Sequence, residues 1–282
     1  MGEVTKATVR AEVGRLEEMM LKAALKSSSG DAVHSEVYVN VGGGEARFLA
    51  GKDGNRIISY STFGGRFFES VEVHEDTLIE ENNGTMEAVI SSKRFLKRLN
   101  RIEEDSGYLV DIVFSGNPDE RLCDHLEFRG TEREELTLAT STNNLDYIPF
   151  EVTERFDEGN SWITNNGEPM AATIEADTRD IERIINIINE DSGLKSYPVT
   201  IKDNELYIDT GKNRVKNAAW GVLRTNRVSG PDLTNYYPEE FENVFSQLSE
   251  EVRLETEQDM PLCVVCEQDG QVVRHVLAPA DG

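Results

Sequence analysis

The feature that most restricts the fold of this chain is a fourfold recurrence of one pattern: a short apolar strand, one amphipathic helix, then further strands. Such repetition indicates a structure built from equivalent units. Apolar residues at three- and four-residue spacing predict the helices, at residues 14–26, 92–103, 179–189 and 239–248. A helix that packs one face against an antiparallel sheet is typical of the α+β class. We therefore predict an α+β fold with two topologically similar domains, each with two helices against antiparallel sheets.

Strand-like segments follow each helix, separated by turn residues such as the triplet 42–44. Within the first half they include residues 36–41, 46–50, 56–63, 108–114, 122–128 and 135–140. A short apolar run at residues 148–152 is predicted to close this half as a further strand. The second half restarts near Met170.

The end of the sequence predicts a β-hairpin. Two apolar runs, residues 262–266 and 272–277, flank a loop whose Gly270 can take the positive φ that a tight turn needs. Ala278 and Pro279 then end the second strand, because proline has no N–H to donate to a sheet.

Three cysteines and no basic-then-apolar leader suggest a reducing, cytoplasmic location without a disulfide framework. Cys263 and Cys266 form a CxxC pair, which is also found in zinc and redox sites. Within a strand, however, residues three apart point to opposite faces, so these thiols could not share a metal. We expect neither a metal nor another cofactor.

The charge balance is strongly acidic, with 53 acidic and 29 basic residues and a net charge of −24. Only 10 of the bases are lysines. A surface covered with carboxylates disfavours nonspecific contact with nucleic acid over the whole molecule. The composition favours adaptation to concentrated salt, and we expect a halophilic host.

The second predicted helix departs from this acidic background, because it carries five bases within nine residues and no acid between them. Such a face is typical of a phosphate-contacting surface. The first and third helices mix bases with acids, so a solvated charged face explains them equally well. The candidate DNA-contact residues are Arg15, Lys22, Lys93, Arg94, Lys97, Arg98, Arg101, Arg179 and Arg183, together with the loop cluster Lys212, Arg214 and Lys216.

The order of the terminal segment, Pro-Leu, strand, Asp-Gly turn, strand, Leu-Ala-Pro, resembles the carboxyl end of sliding clamps of the proliferating cell nuclear antigen (PCNA) type. The four units in two halves extend this resemblance over nearly the whole chain. It implies an N-terminal domain of residues 1–153, an interdomain connector of residues 154–169 and a C-terminal domain of residues 170–282. It also implies a homotrimeric ring around double-stranded DNA, lined by the helices and closed by edge strands near residues 122–128 and 218–223.

The same resemblance implies partners: DNA polymerase, clamp loader, flap endonuclease and ligase would dock through PCNA-interacting peptides. The positions that match the family's peptide groove are Ile57, Trp162, Ile163, Pro261, Val276, Ala278 and Pro279. Trp162 and Ile163 are apolar residues in a polar connector, so they either form an exposed docking surface or pack back onto the sheet.

Catalysis is not expected. The four histidines lack the spacing of metal ligands, and the chain has neither a GxSxG elbow nor a phosphate-binding P-loop. The function that the sequence favours is that of a DNA sliding clamp, a processivity factor. The alternative is a clamp-like adaptor or competitor that binds replication proteins without encircling DNA.

Overall fold

A computed structural model describes residues 4–27, 32–51, 56–74, 85–102, 107–117, 120, 122–130, 135–140, 150–191, 196–208, 221–223, 227–248 and 251–280. The first half contains β1 (Val4–Glu12), α1 (Val13–Ala24), β2 (Glu36–Gly42), β3 (Glu45–Ala50), β4 (Ile57–Phe63), β5 (Ser70–Val73), β6 (Met86–Ser91), α2 (Ser92–Ile102), β7 (Leu109–Gly116), β8 (His125–Arg129) and β9 (Glu135–Ala139). The second half contains β10 (Ala172–Asp177), α3 (Thr178–Asp191), β11 (Ser196–Lys202), β12 (Glu205–Ile208), β13 (Gly221–Leu223), β14 (Arg227–Ser229), β15 (Leu233–Pro238), α4 (Phe241–Phe245), β16 (Glu251–Thr256), β17 (Leu262–Gln268) and β18 (Gln271–Leu277). The α+β prediction is confirmed.

The described strands form three antiparallel sheets. The largest has nine strands in the order β14-β10-β16-β17-β18-β4-β3-β2-β6, and it joins the two halves where β18 pairs with β4. A five-stranded sheet, β5-β1-β7-β8-β9, belongs to the first half, and a four-stranded sheet, β13-β12-β11-β15, to the second. The strand pattern of the sequence predicts most of these strands but not their order.

Two apolar cores lie between the helices and the sheets. In the first, Phe95 and Leu99 of α2 are buried, and the ring of Phe95 meets that of Phe128 at 5.1 Å. In the second, α3 buries the isoleucines of its apolar face and α4 buries Phe241 and Phe245. Each helix therefore turns one face to a sheet, as its apolar spacing predicts.

The predicted terminal hairpin is present. Asp269 and Gly270, at the turn, have φ of 45° and 84°, the two positive values that a tight two-residue hairpin turn requires. Cys263 packs in a small cluster on one face of β17, whereas Cys266 belongs to the second core on the other face. The predicted opposite orientation of the two thiols is confirmed.

Two predictions of local structure are wrong. Of the strand predicted at residues 148–152, positions 148 and 149 lie outside the described residues, and the rest belongs to a 3-10 helix (Phe150–Arg155). This segment contacts the sheet through side chains: the ring centroids of Phe150 and Tyr38 are 4.8 Å apart. The fourth helix is also shorter than predicted, since α4 spans five residues. None of the described helices has the length and apolar character needed to cross a bilayer.

Candidate functional site

The outer face of α2 is a continuous basic surface. Ser92, Phe95 and Leu99 face the core. Four of the five bases are exposed and one is half-buried: Lys93, Arg94, Lys97, Arg101 and, half-buried, Arg98. Within the described part of the chain none of these bases forms an ion pair.

A groove runs along this basic face. Its volume is about 670 Å³, and one wall consists of Lys93, Lys97 and Arg101 with the stem of Leu96 between them. The opposite wall comes from the segment that leads into β2, around Ser35. The start of α2 is fixed to that segment, because the Ser92 hydroxyl donates to the carbonyl of His34 at 2.7 Å.

The predicted bases on α1 have internal roles. Arg15 donates to the carbonyls of Arg66 and Phe67 at 2.8 and 3.3 Å and lies 3.5 Å from a Glu12 carboxylate oxygen. Lys22 is 7% exposed, and its ammonium donates to Glu18 at 2.5 Å and to Gln271 at 3.1 Å. The burial of Lys22 contradicts its prediction as a phosphate contact, because its charge is used between α1 and β18.

On α3 the predicted bases are exposed but neutralised. Arg179 makes a two-pronged contact with Asp177, at 2.6 and 3.0 Å, and its hydrogen bonds lower the pKa of that carboxyl to about 2. Arg183 lies 3.4 Å from Asp180. The loop cluster Lys212, Arg214 and Lys216 lies outside the described residues. Among the helices, α2 is therefore the one whose bases have no acidic partner within the described residues.

The connector folds back onto the nine-stranded sheet. Trp162 is 9% exposed and packs with Met170, Cys263, Val265 and Val276. Its indole meets the ring of Phe156 edge-on at 5.4 Å, and its backbone N–H donates to a Glu255 carboxylate oxygen at 2.7 Å. Of the two alternatives for Trp162, the structure shows the packed one.

Charged groups hold the turn of the connector in place. The guanidinium of Arg274, which is 5% exposed, packs on the rings of Tyr60 and Phe156, 4.8 and 5.2 Å from their centroids, and the two ring centroids are 6.0 Å apart. It donates to the side-chain oxygen of Asn160, and burial lowers its pKa. Arg253 donates to the carbonyl of Gly159 at 2.9 Å. The connector is thus fixed along a row of outward-facing side chains of the sheet.

The predicted peptide-groove residues divide into two groups. Three are buried and offer no open surface: Ile57 lies in the second core, and Val276 lies beneath the packed Trp162. Four residues remain accessible: Ile163, Pro261, Ala278 and Pro279. The segment after β18 is fixed by backbone bonds from Ala278 to Arg56 at 2.8 Å and from Ala280 to Tyr236 at 2.7 Å.

The sheet edges correct one further prediction. Strand β8 pairs with β7 and with β9, so residues 122–128 do not form an edge. Strand β9 lies at one edge of the five-stranded sheet, and β13 lies at one edge of the four-stranded sheet. Ile187 of α3, a helix that contacts β13, is 39% exposed. The exposure of Ile187 follows from the sequence pattern, because this residue lies outside the apolar stripe of α3.

Among the described residues, no group of His, Cys, Asp or Glu side chains converges as metal ligands would. Burial raises the pKa of Cys123 to about 12 and that of Cys263 well above its usual value, which disfavours their nucleophilic thiolate forms. These groups do not form a recognisable catalytic arrangement.

Comparison with known proteins decides the fold. No family model matches the chain, and no curated protein matches its sequence. Solved structures do match it over nearly its whole length. PCNA of A. fulgidus bound to the C-terminal region of FEN-1 superimposes with a TM-score of 0.71 at 11% identity, covering 98% of this chain and 99% of that one.

The fold is that of a PCNA-type sliding clamp. PCNA from Entamoeba histolytica matches with a TM-score of 0.68 at 10% identity, covering 99% of this chain and 100% of that one. PCNA from Thermococcus kodakaraensis matches with a TM-score of 0.67 at 14% identity, covering 97% and 100%. The likeness to this last structure is one of fold, since about six in seven aligned residues differ.

Proposed function

We propose that this chain is a DNA sliding clamp, which encircles duplex DNA as a head-to-tail homotrimer and tethers DNA polymerase and other replication proteins. The observation that carries the proposal is the face of α2: five outward bases without an acid, on a chain whose net charge is −24. Phosphate contacts of this kind are independent of base sequence, as a protein that slides along DNA requires.

The two sheet edges supply a means of closing the ring. If β9 of one copy pairs with β13 of the next, the contact is heterologous, and a rotation of one third of a turn closes it after three copies. Exposed edges favour such pairing because their backbone groups lack a neighbour. The half-exposed side chain of Ile187 near β13 would then be covered by the adjacent subunit.

The surface for partner proteins is proposed on the face of the nine-stranded sheet that carries the connector, away from the helices. Ile163, Pro261, Ala278 and Pro279 remain accessible beside the connector and would hold an apolar peptide helix from a polymerase, clamp loader, flap endonuclease or ligase. We place this activity in the cytoplasm of a halophilic host, and we retain the division into domains at residues 153 and 170.

The ring is tested by light scattering in molar salt, where a mass near three times 31.6 kDa is expected. The ring's grip on DNA is tested by loading it onto nicked circular DNA and then linearising the DNA. A ring leaves through the free ends, whereas a protein that binds by affinity stays. A protein that remains bound after linearisation would contradict the proposal.

The contribution of α2 is tested by Lys97→Glu, with Lys202→Glu as the matched control. Lys202 is also an exposed lysine but lies on β11, outside the four helices. Each lost phosphate contact makes the negative slope of log affinity against log salt shallower by about 0.9. Only Lys97→Glu is expected to make this slope shallower, and equal effects of both variants would refute the role of α2.

A second function is favoured by the limited extent of the basic surface. The helix α4 carries no base, and the bases of α3 are paired with acids. A clamp-like adaptor that binds replication proteins without encircling DNA does not need a larger basic surface. A monomeric mass at every salt concentration, with peptide binding intact, would identify the adaptor.

A further inference from the structure

A buried asparagine interrupts the apolar side of β15. Leu233 and Tyr237 of this strand belong to the second core, and Asn235, between them in the alternation, is 3% exposed. Asparagine is disfavoured in strands, and a buried carboxamide costs free energy unless its donor and acceptor groups find partners. The partners of Asn235 therefore indicate why an amide occupies this position.

The carboxamide of Asn235 binds both ends of the turn between β16 and β17. Its nitrogen donates to the carbonyl of Glu257 at 2.7 Å, and its oxygen accepts the backbone N–H of Asp259 at 2.9 Å. A carboxamide carries the same kinds of donor and acceptor as a peptide group. The side chain thus pairs with the turn as the backbone of a neighbouring strand would.

The backbone of this turn benefits from such support. Asp259 adopts a φ of 61°, in the left-handed region that is unfavourable for most residues other than glycine. The N–H of Met260 closes the turn by donating to the Glu257 carbonyl at 3.0 Å. The hydroxyl of Tyr237 donates to the carbonyl of Met260 at 3.3 Å. Three backbone groups of the turn are therefore bonded to side chains of β15.

The same strand also holds the tail of the chain. The carbonyl of Tyr236, next to Asn235, accepts the N–H of Ala280 at 2.7 Å. Pro261 directly follows the turn and Pro279 directly precedes Ala280, and both prolines are accessible residues of the proposed partner surface. Two neighbouring residues of β15 therefore set the relative position of two parts of that surface.

We propose that Asn235 is a positioning residue of the partner surface. By holding the turn before Pro261 at a fixed place relative to the tail, it keeps the surface ready to receive a peptide helix. Asn235 is buried, so it acts through the turn and not by touching the partner. Because ordering a surface during binding costs free energy, a surface that is already ordered binds more tightly. The proposal rests on the proposed function in that partners dock here, and it needs neither a closed ring nor DNA.

Hydrogen exchange of the full chain, followed residue by residue by NMR, tests the turn without any partner. In Asn235→Leu, which keeps the approximate size of the side chain and removes both bonds, the amide of Asp259 is expected to exchange at least about tenfold faster. The amide of Ala280 is bonded to the backbone of β15, so it is the internal control and is expected to keep its rate. Exchange at Asp259 at the wild-type rate would overturn the proposal, and so would an equal acceleration of both amides.

Two further variants separate positioning from loss of stability. Tyr237→Phe removes one hydroxyl and keeps the ring stacked on that of Phe241, at 6.3 Å between centroids. It is expected to accelerate exchange at Asp259 severalfold, and it decides the question if Asn235→Leu does not fold, because an unchanged rate would contradict the proposal. Val199→Ala lies opposite Asn235 on β11 and opens a cavity in the second core. It is expected to lower the free energy of unfolding without changing the rate at Asp259.

The consequence for docking is measured by isothermal titration calorimetry with a peptide of the C-terminal region of FEN-1, the segment that is bound in the A. fulgidus PCNA structure. Asn235→Leu is expected to bind this peptide about tenfold more weakly than the wild type, and Val199→Ala equally well. Equal affinity of the wild type and Asn235→Leu would overturn the positioning role. A wild type that does not bind would instead refute the proposed partner surface, while exchange at Asp259 would still decide whether Asn235 holds the turn.

Discussion

Because two histidines are buried, we predict that the free energy of unfolding falls by about 4 kcal/mol between neutral pH and about pH 5. His275 is fully buried on β18, with Nδ1 2.9 Å from the Ser59 hydroxyl, and His34 is 5% exposed. The Nε2 atom of each ring has no hydrogen-bond partner among the described residues. Burial lowers the pKa of His34 to about 4. Burial, with added repulsion from His34 and Lys22, lowers that of His275 to about 3.

The sign follows from these directions. Both pKa values are lower in the folded state than in the unfolded state, where histidine titrates near 6.5, so the unfolded chain takes up protons first. The stabilisation is complete above about pH 6.5 and is lost as the pH falls towards the folded pKa values. Each pH unit in this window costs about 1.4 kcal/mol per histidine, hence about 2 kcal/mol each at about pH 5.

The assay is urea unfolding followed by circular dichroism at a series of pH values. His275→Gln and His34→Gln remove the titrating rings, and each is expected to reduce the loss of stability on acidification by about half. His74→Gln is the matched control, because the side chain of His74 is exposed. Acid titration of the 53 carboxylates affects all variants alike, so only the differences between curves report the histidines. Parallel curves for wild type and both buried-site variants would refute the reasoning.

Two further predictions concern the connector and the cysteines. Trp162→Ala is expected to lower the free energy of unfolding by about 3–5 kcal/mol, because it opens a cavity over Val276. Half-buried Ile163, substituted in the same way, should cost clearly less in the same urea titration. Cys123 and Cys263 are expected to react with iodoacetamide only as fast as the protein unfolds, because burial raises the pKa of both thiols. Mass spectrometry after a short pulse in native buffer measures this, and rapid labelling of either would contradict it.

Local features of this protein could be predicted from its sequence because their causes are local. The turn at Gly270 and the alternation on either side of it define the terminal hairpin without reference to the rest of the chain. The apolar spacing in α2 likewise identifies the buried face of Phe95 and Leu99. The basic face opposite follows from the same geometry.

Features that depend on distant segments could not be predicted in this way. A strand pattern shows that β8 exists but not that β9 covers its free side. Lys22 occupies a charged position in the sequence pattern of α1, yet its partner Gln271 is 249 residues away. For Trp162 the sequence allows two environments, and the sheet beneath the connector decides between them. In each case the deciding contact joins residues that sequence periodicity cannot relate.

The pairing of β4 with β18 also determines how long one edge of β4 stays unpaired during synthesis. One side of β4 has β3 as its neighbour, and the other side stays open until β18 arrives. Ser59 and its partner His275 are 216 residues apart, so at ribosomal speeds of about 5–20 residues per second the open side waits for about 10–40 s. During that interval an unpaired strand edge is available to other nascent chains. The carboxylates of the part of the chain already synthesised then repel neighbouring nascent polypeptides, before they act on the surface of the finished protein.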